Sequence, residues 1–300
     1  MPTPVEVILV PTLMIILGFF LKRIGMLKPQ DSNTLSAIVL NVTLPAMVYI
    51  NISTAKIQPD MMILPIASFI LSIICMLIVG VFCKIRGYDK IKSWTLMIAA
   101  AMMNTGFIGY PITLNVFGNE GLLHAIFFDM VTPILFVMYG MMLVKEFGGD
   151  MHKVIKKGLE FVPLWAVVIG LVANVVHFQE GYVLHSTLNY LAGGTVPLIM
   201  ISLGLTIDFR DVKKYLKDSL FISFIRLLLA PTIVFVVFSA LGISGMVFNV
   251  AVLEAGMSTA MTALVLAITY NIDHKLMSSV ILVDVVLSLI TLTMWISILM

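Results

Sequence analysis

The chain has 300 residues, 60% of them apolar and only 11% charged, with a mean hydropathy of +1.10. Soluble domains are about a quarter charged, so this composition excludes one and points to a polytopic membrane protein lying in a lipid bilayer. The net charge of +2 comes from basic residues confined to short stretches between apolar runs, which is no nucleic-acid-binding pattern.

Ten apolar runs follow one another, each near the ~20 residues that a helix needs to cross the hydrocarbon. They lie at 4–21, 33–53, 61–83, 93–116, 121–144, 159–178, 184–206, 217–242, 246–269 and 276–299. The first run has no basic segment before it and is followed by Lys22 and Arg23, so it reads as a retained span rather than a cleaved leader. In the third, Cys75 and Cys83 fall eight apart, without metal or redox spacing, and read as packing residues.

Basic residues alternate between loops. The odd loops carry Lys22, Arg23 and Lys28; Lys84, Arg86, Lys90 and Lys92; Lys145, Lys153, Lys156 and Lys157; Arg210, Lys213, Lys214 and Lys217; and Lys275. The even loops carry Lys56 alone, and Arg226 lies inside the eighth span. By the positive-inside rule the odd loops are cytoplasmic and both termini are extracytoplasmic.

The fourth span is interrupted by Asn104-Thr105-Gly106-Phe107-Ile108-Gly109-Tyr110-Pro111. Glycine and proline leave helix bonds unmade there, and bare backbone at membrane depth is tolerated only inside protein or beside a wet cavity. Such interrupted spans point to a transporter's binding site. The ninth span carries Glu254-Ala255-Gly256-Met257-Ser258-Thr259-Ala260-Met261-Thr262, a carboxylate, a glycine and three hydroxyls at the corresponding place. Which residues of the two stretches correspond is open: Asn104-Thr105-Gly106 can face Glu254-Ala255-Gly256 or Ser258-Thr259-Ala260.

Two further matches suggest an internal repeat. Thr43-Leu44-Pro45 recurs as Thr195-Val196-Pro197, an offset of 152, and Phe127-Phe128-Asp129 as Leu282-Val283-Asp284, an offset of 155. Five spans per unit require inverted topology. The expected organisation is a first five-helix repeat over 1–144, a cytoplasmic central loop over 145–158 and a second, inverted repeat over 159–300. Asp129, Glu254, Asp284 and Arg226 all sit near mid-depth, where each ionisable group needs either a structural partner or a function.

The second-span Leu40-Asn41-Val42-Thr43-Leu44-Pro45-Ala46 and the fourth-span Asn104 to Pro111 stretch resemble those of the auxin efflux carrier family, which includes bacterial malate and malonate permeases, along essentially the whole chain. That resemblance implies an all-α, ten-helix fold of two inverted five-helix repeats. Its broken fourth and ninth helices cross, and scaffold and transport domains each draw on both repeats. It also implies elevator-type alternating access for a small organic anion, and it admits a homodimer. Members usually carry a ninth-span proline, whereas this chain has none between Met246 and Tyr270. Glu254-Ala255-Gly256-Met257-Ser258 is similar instead to the Glu-x-Gly-Met-Gln stretch of the related bile acid:sodium symporters. That similarity implies Glu254 as a sodium ligand, with Ser258 standing where the glutamine is.

The expected substrate-binding set is Asn41, Asn104, Thr105, Gly106, Tyr110, Pro111, Ser258, Thr259 and Thr262. The expected cation set is Glu254, Ser258 and Asn104, with carbonyls of the broken helix ends as further oxygen ligands. Asp129 and Asp284 are the candidates for proton linkage. Na+ or H+ is the expected coupling ion, with no other cofactor or metal. A passive channel is the competing class. An intramembrane enzyme is disfavoured, because the chain lacks Gly-x-Gly-Asp, His-Glu-x-x-His and Gly-x-Ser-x-Gly.

Overall fold

The computed structural model describes residues 3–208 and 212–300. Arg210, one of the basic residues of the seventh loop, lies outside the described residues. The described residues are helical, with no strand and a single isolated antiparallel bridge, Met103 to Thr259.

Local sequence sets the helix ends. Helix α1 (Pro4–Arg23) opens on a capping box, Thr3 with Glu6, has proline at its start, and ends in Lys22 and Arg23. Helices α2 (Asp31–Ile38) and α3 (Leu44–Ser53) form the second span around a π turn. After a 3-10 turn over Pro59–Met62, α4 (Ile63–Arg86) ends at Gly87, whose φ of 63° suits a residue without a Cβ. Asp89 caps α5 (Lys90–Ala101), accepting from the Lys92 N–H at 2.9 Å. Then come α6 (Tyr110–Asp129), α7 (Thr132–Phe147), α8 (Met151–Leu159), α9 (Val162–Val175), α10 (Tyr182–Gly193) and α11 (Thr195–Thr206). The chain closes with α12 (Val212–Ser223), α13 (Ala230–Ala240), α14 (Gly245–Ala255), α15 (Met261–Thr269) and α16 (His274–Leu299).

Seven helical stretches are long and apolar enough to cross a membrane, or eight if α8 and α9, bent by 47° at their junction, count as one. Ten continuous spans are not present, for identifiable reasons. The stretch Thr105–Phe147 is 43 residues long, about twice what a bilayer needs, and Gly118 (φ 67°, ψ −160°) breaks it. The ninth run is split into α14 and α15, of 11 and 9 residues, which are each too short to cross alone.

Three of the runs contain a π turn, and each turn ends two residues before a proline. Val39–Thr43 precedes Pro45, Thr105–Gly109 precedes Pro111, and Phe224–Leu229 precedes Pro231. Proline has no N–H and its ring crowds the carbonyl four residues back; one wider turn absorbs the clash. At Pro231 that carbonyl belongs to Leu227, and the Trp295 indole donates to it at 3.0 Å. The structure thus supplies from α16 the bond that the proline removes.

The helices pack in two groups, each drawn from both halves of the chain. In one, α1 and α2 lie on α11, and α3 lies on α9 and α10. In the other, α4 packs with α5 and α6, α14 with α6 and α13, and α12 with α16. Helices α1 and α3 meet α6, and α1 meets α16, along the boundary between the groups.

Candidate functional site

The two interrupted spans meet in the second group. Helix α5 stops at Ala101, and Met102 (φ −98°, ψ 117°) is extended. Helix α14 stops at Ala255, and the chain runs irregularly through Gly256 to Ala260 before α15 begins. The two irregular stretches pair as a minimal antiparallel ladder: the Asn104 N–H donates to the Ser258 carbonyl and the Ala260 N–H to the Met102 carbonyl, both at 2.9 Å. Each break therefore satisfies backbone that the other exposes. The ninth span needs no proline, because its break is fixed by pairing with the fourth.

In space Asn104 lies against Ser258. Thr105 donates to Asp129, 24 positions on, and Thr259 donates to Asp284, 25 positions on, at 2.6 Å, so the two breaks are held by like bonds.

Each aspartate holds its break through hydroxyls. Asp129 also accepts from the Tyr110 hydroxyl at 2.9 Å and the Thr132 hydroxyl at 2.6 Å. Asp284 also accepts from the Thr259 N–H at 3.1 Å and the Ser223 hydroxyl at 2.5 Å. Their surroundings differ. Asp284 is fully enclosed, whereas Asp129 is half-buried and lines a cleft with Val48, Tyr110, Ile126, Met130 and Val167. A second cleft is lined by Leu203, Thr206, Met261, Leu264, Ile281 and Val285. Val48, Tyr110, Ile126 and Met130 of the first correspond to Leu203, Leu264, Ile281 and Val285 of the second at offsets of 154 or 155.

At the crossing, several buried polar atoms have no partner among the described residues: Asn104 Nδ2, Ser258 Oγ, Thr262 Oγ1, Glu254 Oε2 and Arg226 Nε. Leaving such a group unpaired costs about 1–3 kcal/mol. The positive poles of two half-helices also open here, since the N–H groups of Thr105, Gly106 and Phe107, and of Met261 and Thr262, donate to no backbone carbonyl outside their own helices.

Glu254 is fully enclosed, accepts from the Thr113 hydroxyl at 2.6 Å, and lies against Gly109, where a Cβ would overlap its carboxyl group. Gly106, half-buried, faces Asp129, and Pro111 is buried at the start of α6. The Thr259 hydroxyl lies within hydrogen-bond distance of both Asp284 and the Ala99 carbonyl, its one proton serving either, and its N–H donates to Asp284, which makes it a fixture of the crossing. Asn41 is not brought to the site: it is exposed and donates back to the Ala37 carbonyl of its own helix at 2.8 Å.

The carbonyls expected as cation ligands have other partners. Arg226 Nη2 donates to Ala255 and Met257 carbonyls at 3.0 and 2.9 Å, Nη1 to Ala100 at 3.5 Å, and Ser72 donates to Ala101 at 2.7 Å. Arg226 makes no ion pair among the described residues. Sequence reasoning missed Thr113, Thr132 and Ser72. Ser219, Ser223 and Arg226, at positions i, i+4 and i+7 of the eighth span, were a readable polar stripe.

Comparison with protein families matches residues 5–161 and 151–296 to the family described as membrane transport protein. The chain belongs to that family. This agrees with the auxin efflux carrier resemblance carried by the second- and fourth-span motifs. An uncharacterized transporter of Methanothermobacter thermautotrophicus is 38% identical over 97% of this chain and 96% of its own length. One of Methanocaldococcus jannaschii is 32% identical over 97% of both chains. A protein of Rhizobium meliloti named "Putative malonate transporter" is 23% identical over 93% of this chain and 91% of its own. Membership makes the protein a multi-pass membrane transporter, and a transporter is not generally an enzyme.

Proposed function

We propose that this protein is a secondary carrier that moves a small organic anion across the cytoplasmic membrane by alternating access, holding the carboxylate at the crossing of the fourth and ninth spans. The observation that carries this reading is the cluster of unpartnered Asn104, Ser258 and Thr262 side chains beside two open half-helix N-termini. Amide and hydroxyl donors with two positive helix poles form a carboxylate site that needs no basic side chain.

The clefts at matching offsets and the Thr105–Asp129 and Thr259–Asp284 pairs support two inverted five-pass repeats, and the basic odd loops support both termini outside. On this reading α4–α7 and α12–α16 form the moving transport domain, and α1–α3 with α9–α11 the scaffold, in an elevator-type motion. Tight packing within each helix group and lighter contact between them suit such a motion. For coupling, a proton fits the site better than Na+. The break carbonyls already have donors, Glu254 has one hydroxyl partner and one unpartnered oxygen, and Asp129 borders a cleft.

Thermal unfolding of the purified protein tests this reading. The Rhizobium relative's name makes malonate the first probe, with malate, indole-3-acetate and acetate beside it at fixed ionic strength. A ligand at 100 times its dissociation constant stabilises the folded state by about 2.7 kcal/mol. At least one carboxylate raises the midpoint of the wild type, and Asn104→Ala abolishes that rise while remaining folded. An Asn104→Ala protein that keeps full affinity contradicts the site.

A further inference from the structure

We propose that Arg226 is the resident cation of the crossing, its guanidinium filling the carbonyl cage formed by the two half-helix C-termini where a dissociable cation would otherwise sit. The inference rests on the carrier reading for its consequence and on local geometry for its substance. Helices α5 and α14 end at Ala101 and Ala255 inside the protein, and the last carbonyls of each form a partial negative pole. Ser72 and Thr259 take the Ala101 and Ala99 carbonyls. The remaining oxygens, of Ala100, Ala255 and Met257, converge on Arg226 at 3.5, 3.0 and 2.9 Å. Several carbonyl oxygens around one point are a donor set for a hard cation. Here the chain itself supplies the charge.

Arg226 reaches this place because the π turn over Phe224–Leu229 carries it, and it is completely enclosed. Its neighbours include Cys75, Tyr139 and Asp284, but no carboxylate forms an ion pair with it among the described residues. A charge without an ion pair is costly to enclose, and the two negative poles add to nearby Asp284 as its counter-charge. The positive poles on the other side of the breaks stay open to the anion. A tethered cation keeps its charge at these carbonyls whether or not the anion is bound, so the anion needs no Na+ there.

The test uses stability, without transported substrate. The thermal midpoints of wild type, Arg226→Ala, Arg226→Lys and Arg226→Met are measured against low-millimolar methylguanidinium, with choline as control. The wild type responds equally to both. Arg226→Ala loses roughly 5 °C or more and regains most of it, saturably, with methylguanidinium alone. Arg226→Lys retains more stability than the neutral Arg226→Met. Equal midpoints for the Lys and Met variants, or no selective response in Arg226→Ala, overturn the proposal; if Arg226→Ala does not fold, the Lys–Met comparison decides. A wild type that binds no carboxylate would sink the carrier reading and leave the methylguanidinium result intact.

Discussion

At the scale of single residues, the crossing separates groups that build it from groups without a hydrogen-bond partner among the described residues. Thr105, Thr259, Asp129 and Asp284 are spent on one another, while Asn104, Ser258 and Thr262 keep unpartnered donors. The sequence named all of these, because polar residues in an apolar run are conspicuous and expensive. It could not divide them, since hydrogen-bond partners from distant spans, such as Ser223 for Asp284, have no local signature. Gly109 is the residue whose role emerged only in three dimensions. A Cβ there would meet the Glu254 carboxyl group, which is enclosed and held by the Thr113 hydroxyl. Gly109→Ala is therefore predicted to cost about 1–3 kcal/mol, and Glu254→Ala to relieve part of that cost. A double-mutant cycle on thermal or denaturant midpoints measures the coupling; strictly additive costs would show that the two do not touch.

At the scale of elements, proline explains three of the irregular turns and backbone pairing explains the fourth interruption. The fourth-span break was legible because Gly106, Gly109 and Pro111 lie together. The π turns before Pro45 and Pro231 carry the same signal with less company, and went unread. The ninth-span break has no proline at all, so its conformation depends on Met102 and Asn104, which no pattern within the ninth span can reveal. Ten apolar runs were readable, but their division into continuous and broken helices was not, since Gly118 and the Gly256–Ala260 stretch interrupt runs whose hydropathy continues unchanged. Close helix contact follows another rule. A Cβ on Gly204 of α11 would strike the α1 backbone at Ile15, Gly18 and Phe19, and backbone cannot swing aside. Gly204→Ala should lower stability by about 1–3 kcal/mol. Gly80→Ala, facing only the flexible Met97 side chain at 3.5 Å, should be neutral or stabilising by up to about 1 kcal/mol. Equal effects of the two substitutions on the unfolding midpoint would refute the α1–α11 contact as a determinant.

At the scale of the molecule, the two helix groups each combine early and late segments, which a repeated unit of alternating orientation produces and a simple tandem of domains does not. The proposed repeat rests on Thr43-Leu44-Pro45 and Asp129 with their mates, at offsets of 152 and 155, and Thr105 and Thr259, with like hydrogen bonds, lie 154 apart. On the proposed reading Arg226 closes both negative poles, both positive poles face the anion, and the crossing moves as one piece. Counterflow in proteoliposomes tests this most directly: vesicles are preloaded with unlabelled carboxylate from the panel above, and entry of the labelled compound is followed. A carrier with its site at the crossing shows saturable uptake with a transient overshoot driven by the internal anion, and Asn104→Ala abolishes it. Linear, non-saturating entry that persists in Asn104→Ala would describe a passive pore and contradict the account.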